Sequence, residues 1–280
     1  MMLRLLLSVF GVMTLASCSE GDPPVEVICK LESCSPSATA VPAPTSVSIA
    51  ASGGSSGALT GDLITANFDS ASQTFTVSAV GLNAQMNRFG TADFGSILAM
   101  RDVAGIHNAY LGQGAGSRVV IYSGGSAGNV RNLASFGRIG ATDLPLVGTA
   151  QFNGQYAGFT TTRRINGKAQ LDVDFANATI GGRVTERVFR QRPDNVVDAV
   201  NPLSSLVLEK TSLKNDGTFS GVTGGGQIVN GQILWNPATG SFTGLIGGAN
   251  GAEAVGTIAL THRAPSGGSF EEIGGFLATR

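Results

Sequence analysis

Along the second half of the chain, apolar and polar residues alternate in short runs. Leu171-Asp172-Val173-Asp174-Phe175, Ser205-Leu206-Val207-Leu208 and Val255-Gly256-Thr257-Ile258-Ala259-Leu260 all fall between Gly148 and Arg280. A period of two sends successive side chains to opposite faces of a strand. Asn166-Gly167, Asp216-Gly217, Asn230-Gly231 and Asn250-Gly251 lie between the runs, and such dipeptides accept the positive φ of a two-residue hairpin turn. The strands expected are 148–162, 168–175, 180–188, 205–212, 218–221, 227–235 together with 241–246, 252–261 and 270–279. Antiparallel strands at this spacing hide their apolar faces and open edges by closing into a barrel or stacking as a sandwich.

Residues 47–146 are also β-rich, with expected strands Leu63–Phe68, Thr74–Val80, Ile97–Arg101, Ile106–Leu111 and Arg118–Tyr122. Asp69-Ser70-Ala71-Ser72 reads as a turn. Asn83 to Phe94 is less regular and is expected to hold a short helix. Leu133 to Gly140, followed by Asp143-Leu144-Pro145, reads as the crossover between the two regions. No helical period of ten or more residues stands out elsewhere, which argues against βαβ units and a parallel sheet. One connection departs from tight turns. Glu186 to Pro202 is long and carries Arg187, Phe189, Arg190 and Arg192. Long loops on a rigid scaffold are where binding concentrates, so this one is either a partner-facing surface or a solvated basic excursion.

Composition agrees with turn-rich β structure: glycine accounts for 40 of 280 residues and only 13% are charged. The 18 basic and 19 acidic residues nearly cancel. That balance leaves no electrostatic footprint for nucleic acid or for anionic lipid.

The N-terminus reads as an export signal. Arg4 precedes the apolar stretch Leu5 to Leu15, which is too short to span a bilayer. It ends in Leu15-Ala16-Ser17-Cys18, which resembles the lipobox of bacterial lipoproteins. The resemblance implies lipidation at Cys18 and cleavage after residue 17. Ser19 stands where an Asp would retain a lipoprotein at the inner membrane, which points to the outer membrane. Residues 18–46 hold five of the ten prolines, Pro23, Pro24, Pro36, Pro42 and Pro44, and read as a tether that would hold a folded body on the order of 30 Å from the lipid. Cys29 and Cys34 have four residues between them in an exported chain. They read as a small disulfide loop, the alternative being half of a metal site with no histidine near.

Other candidate chemistry is thin. Gly53-Gly54-Ser55-Ser56-Gly57 and Gly124-Gly125-Ser126-Ala127-Gly128 both match the hydrolase elbow G-x-S-x-G, and His262 follows in the order a triad needs. The glycine content makes about one chance match expected, and Asn129-Val130-Arg131-Asn132 hardly supplies the helix that must follow. An enzyme is therefore not expected. Gly112-Gln113-Gly114-Ala115-Gly116 lacks the spacing of a dinucleotide loop and reads as a turn, as does the sequon-like Asn177-Ala178-Thr179. His107 and His262 are the only histidines and no metal-ligand pairing surrounds them. No metal site or cofactor is expected, apart from haem as an alternative on His107 near Tyr110.

A series of motifs carries a family resemblance. In order they are Gly154-Gln155-Tyr156-Ala157-Gly158, Asp172 to Phe175 with Gly181-Gly182, Gly217-Thr218-Phe219-Ser220-Gly221, Gly240-Ser241-Phe242-Thr243-Gly244, Gly251-Ala252-Glu253-Ala254-Val255-Gly256, and Ile273-Gly274-Gly275-Phe276. The series resembles the C-terminal barrel of transferrin-binding protein B-type surface lipoproteins, a barrel shared with factor H binding protein. The resemblance implies an all-β fold: an eight-stranded antiparallel barrel over residues 147–280, preceded by a smaller handle-like β domain over 47–146. The motif aromatics would fill the barrel, with glycines relieving crowding where strands bend, and Glu253 would accept hydrogen bonds from a turn. It implies binding without catalysis: a surface-displayed outer-membrane lipoprotein whose partner is a host or environmental protein or a haem carrier. The alternative is a structural or assembly lipoprotein facing the periplasm. The family's two lobes exceed the room in this chain, and none of its host-contact loops finds a match here.

Overall fold

The computed structural model describes residues 47–53, 65–79, 82–125, 130–139, 142–191, 197–225, 228–229, 232–233, 236–263 and 268–280. These residues are almost wholly antiparallel β structure, in two large sheets and one small ribbon.

The first sheet contains β1 (Val47–Gly53), β2 (Thr65–Asp69), β3 (Thr74–Ala79), β4 (Leu82–Arg88), β5 (Ile97–Arg101), β6 (Asn108–Gln113), β7 (Ser117–Gly124) and β8 (Arg131–Arg138). Strands β2 to β8 run as a meander, and β1 covers the β8 edge. The second contains β9 (Thr149–Phe159), β10 (Arg163–Asp174), β11 (Thr179–Gln191), β12 (Val197–Pro202), β13 (Leu206–Ser212) and β14 (Thr218–Gly225). After the ribbon β15 (Ile228–Val229) and β16 (Gln232–Ile233) it continues with β17 (Asn236–Gly247), β18 (Glu253–Arg263) and β19 (Ser269–Thr279). Its order, β10-β9-β19-β18-β17-β14-β13-β11, is closed by a further pairing of β10 with β11, so eight strands form a barrel and β12 lies on β11 outside the ring. Closure leaves the ring no unpaired edge.

Three apolar cores follow. Inside the barrel, Phe152, Tyr156, Leu171, Val173, Phe219, Phe242, Ile258 and Phe276 pack together. The motif aromatics therefore fill the lumen, as the resemblance implied. A second core joins the two sheets, with Ile97, Tyr110, Val119, Ile121 and Phe136 of the handle against Ala157, Phe159, Leu245, Val255, Ile273 and Leu277 of the barrel. This joint explains why Val255 to Leu260 is almost wholly buried rather than half exposed: both faces of β18 are covered, one by the lumen and one by the handle. The third core, with Phe75, Val77, Met86, Leu111, Val120 and Tyr122, fills the other face of the handle.

Several sequence expectations are corrected. Asn166-Gly167 lies inside β10, with Asn166 opposite both Ala157 and Val188. Its glycine meets close packing rather than a turn, because a Cβ there would stand 3.0 Å from both Arg187 Cγ and the Thr185 carbonyl oxygen. Leu133 to Gly140 is no crossover, since β8 pairs with β7 through Arg138 and with β1 through Phe136. In place of the helix expected at Asn83 to Phe94 stand β4 and a single 3-10 turn, Gly90–Ala92. The strand expected at 227–235 is the separate β15–β16 ribbon, paired Val229 to Gln232, while residues 226–227, 230–231 and 234–235 lie outside the described residues.

The largest correction concerns 186–202. β11 continues to Gln191 and β12 folds back onto it, with Phe189 opposite Asp198. Glu186 adopts φ 51° where β10 and β11 slip register between Asn166 and Lys168. This bulge reverses the inward parity of β11: Ile180 and Val184 are buried before it, Arg187 and Phe189 after it. Two of the four residues expected on a partner-facing loop thus point into the barrel.

Candidate functional site

The barrel lumen holds a polar cluster among its aromatics. Glu272 of β19 accepts from Arg187 Nη2 at 2.5 Å, from His262 Nε2 at 2.7 Å and from the Tyr156 hydroxyl at 2.5 Å. Arg187 also donates to the Ser204 carbonyl at 2.7 Å, and His262 stacks on Phe270 with ring centroids 4.4 Å apart. Arg187, Glu272, His262 and Tyr156 are all buried. Burial alone would raise the Glu272 carboxyl, but the Arg187 charge and the bonds from His262 and Tyr156 outweigh it and hold it at about 2. Burial and the neighbouring Glu272 push the Tyr156 hydroxyl well above its ordinary value. The four side chains thus form a buried hydrogen-bonded cluster among the lumen aromatics.

Glu253 ties the handle to the barrel. Its carboxylate accepts from the backbone N–H of Ala115 at 2.7 Å, from that of Gly116 at 3.1 Å and from the Ser117 hydroxyl at 2.5 Å. The acceptor role expected for it in a turn is therefore observed, and the turn is the β6–β7 connection that had read as a failed dinucleotide loop.

Strand register gives the molecule two unlike ends. Val47, opposite Phe136, lies at the end with the β6–β7, β13–β14 and β17–β18 turns and with Thr279. The other end carries the β5–β6 and β9–β10 connections and the outer ends of β11, β18 and β19. Arg101, Arg131, Arg163 and Arg190 all sit at strand ends there. The β5–β6 loop exposes Val103 (96%) and Ile106 (48%). That loop is held in shape: Gly105 N–H donates to the Asp102 carbonyl at 3.1 Å, His107 N–H to Asp102 Oδ1 at 2.9 Å, and His107 Nδ1 meets the Tyr122 hydroxyl at 2.5 Å.

Of the residues singled out in the sequence, Arg187 and Phe189 are buried, Arg190 is half-buried on β11, and Arg192 lies outside the described residues. Cys18, Cys29, Cys34, Ser55 and Ser126 also lie outside them. The strand before Ser126 has antiparallel neighbours on both sides, and His262 is engaged by Glu272 inside the barrel. His107 and Tyr110 are not brought together. His107 turns to Tyr122, whereas Tyr110 stacks on Phe159 and reaches Asn166. Among the described residues no three His, Cys, Asp or Glu side chains are grouped to hold a metal ion, and no helix is long and apolar enough to cross a membrane. Sequence reading missed the lumen cluster, whose one local signal is the pair of glycines at 274 and 275 beside Glu272. A Cβ on Gly274 would press into the Tyr156 ring, 2.6 Å from Cε2.

No protein-family model and no curated protein matches the chain. Among solved structures, it is similar to a transferrin-binding protein B point mutant from Haemophilus parasuis Hp5, with 14% identity over 82% of this chain and 44% of the other and a TM-score of 0.46. It is also similar to isotype 1 transferrin-binding protein B from serogroup B Neisseria meningitidis, with 14% identity over 76% and 40% of the two chains and a TM-score of 0.38. An intact Ap-TbpB with N and C lobes gives 14% identity, 76% and 44% coverage and a TM-score of 0.43. The chain spans less than half the length of these proteins.

Proposed function

We propose that the chain is a lipid-anchored bacterial lipoprotein of the outer membrane that holds a macromolecule or a carried nutrient at its surface, without catalysis. The observation that carries this reading is that aromatics and the Glu272 cluster are buried inside the barrel, and an eight-stranded interior is just wide enough for such side chains to fill it. A ligand is then met on the outside, and the connections that can meet it lie opposite Val47, where the tether joins the fold. Lipidation at Cys18 and the 18–46 tether belong to the proposal, as does display at the cell surface. So does the partner class that the resemblance implies, a host or environmental protein or a haem carrier in iron or haem acquisition.

Two experiments on producing cells test it. Labelled palmitate is expected in the wild-type protein and not in Cys18→Ala; absence from both removes the anchor. Protease added to intact cells is expected to digest the protein. Survival until the outer membrane is permeabilised would favour the periplasmic structural reading instead. Labelling of Ser126 by a fluorophosphonate would overturn binding without catalysis.

A further inference from the structure

Where β6 of the handle faces β10 of the barrel, two polar pairs meet across the joint. Arg164 Nη2 donates to Asn108 Oδ1 at 2.6 Å, and the Tyr110 hydroxyl to Asn166 Oδ1 at 3.4 Å. All four residues are at most 1% exposed. Arg164 Nη1 and Asn166 Nδ2 are buried donors with no acceptor, and as residues i and i+2 of one strand they stand on the same face.

Among the described residues Arg164 also has no counter-charge in an ion pair. Ion pairs between described residues include Arg88 with Asp93, Lys168 with Glu186, and Arg187 and His262 with Glu272, and Arg164 is in none of these. A like charge stands near it: Arg101 and Arg164 both lie over the Phe89 ring, each 5.3 Å from its centroid. A shared cation–π contact is worth about 0.5–2 kcal/mol, whereas burying an unpaired ion costs several kcal/mol. Water satisfies orphan donors but cannot neutralise a charge.

We propose that the handle–barrel joint binds a small anion, a halide or an oxyanion of phosphate or carboxylate type, on Arg164 Nη1 and Asn166 Nδ2. The site is separate from the exposed loop end and stands whether or not that end binds a partner. By holding donors from β10 beneath the handle's β6, the anion locks the two sheets together.

The test uses the full chain freed of lipid by Cys18→Ser, melted at constant ionic strength in chloride, bromide, phosphate or acetate against a bulky sulfonate. An anion at about a hundredfold excess over its dissociation constant shifts the unfolding constant about a hundredfold, or about 5–10 °C in a body of this size. A rise with halides alone assigns a halide, and a rise with phosphate or acetate assigns an oxyanion. Arg164→Met is expected to abolish the rise. Should that variant fail to fold, Asn166→Ala is expected to weaken it, and, where halides give the rise, crystals grown in bromide are expected to show an anomalous peak within hydrogen-bond reach of Arg164 Nη1. Equal melting in every salt overturns the proposal, as does an equal rise in Arg164→Met. A bromide peak without stabilisation in solution means an adventitious ion only, and overturns it too.

Discussion

The carboxylate of Glu253 lies 2.5 Å from the hydroxyl of Ser117, a residue 136 positions earlier, and also takes the backbone N–H groups beside it. One acidic side chain at the start of a barrel strand thereby fixes a turn of the handle. Hydrogen bonds to a charged group are worth about 1.5–3 kcal/mol each. Glu253→Ala is expected to lower stability by about 2–4 kcal/mol in urea unfolding and to speed amide exchange at Ala115 and Gly116 before the barrel loses protection. Uniform exchange across both sheets would contradict it.

The lumen cluster makes a sharper demand. Replacing one partner of a buried ion pair strands the other, at about 3–5 kcal/mol. Glu272→Gln is expected to fall in that range, and Arg187→Met combined with Glu272→Gln is expected to lose less than the two single losses summed. A double-mutant cycle with additive losses would show that the pair is not coupled.

The same carboxyl sets an acid limit. Its folded value of about 2 is below the ordinary 4.5, so the native state prefers the deprotonated form. This contribution is complete above about pH 4.5 and fades as pH falls toward 2. Stability measured from pH 5 downward is expected to drop more steeply in the wild type than in Glu272→Gln. Parallel curves would contradict this.

Gly274 leaves room for Tyr156, and overpacking a filled core typically costs about 1–3 kcal/mol. Gly274→Ala is expected to lose that much in wild type and much less in a Tyr156→Leu background, which removes the ring atoms the new Cβ would meet. Equal losses in both would place the clash elsewhere.

The barrel was legible because its strands keep their parity over long runs and its aromatics recur between glycines, as at Phe219 and Phe242. The reading failed where parity changed. The bulge at Glu186 turned an apparent basic loop into a strand whose Arg187 and Phe189 face inward. Asn166-Gly167 carries hairpin chemistry, yet here its glycine serves the approach of Arg187. The Glu272 cluster unites β9, β11, β18 and β19, and the Arg164 site pairs residues 56 positions apart. No local pattern announces contacts so distant in the chain.

In the proposed function the end opposite Val47 faces outward from the cell. Val103, almost fully exposed on a turn braced by Asp102, reports on it directly. Replacing it with cysteine is expected to change stability by less than about 0.5 kcal/mol. A membrane-impermeant maleimide added to intact cells is expected to label Val103→Cys and not the parent chain; labelling only after the outer membrane is opened would contradict the account.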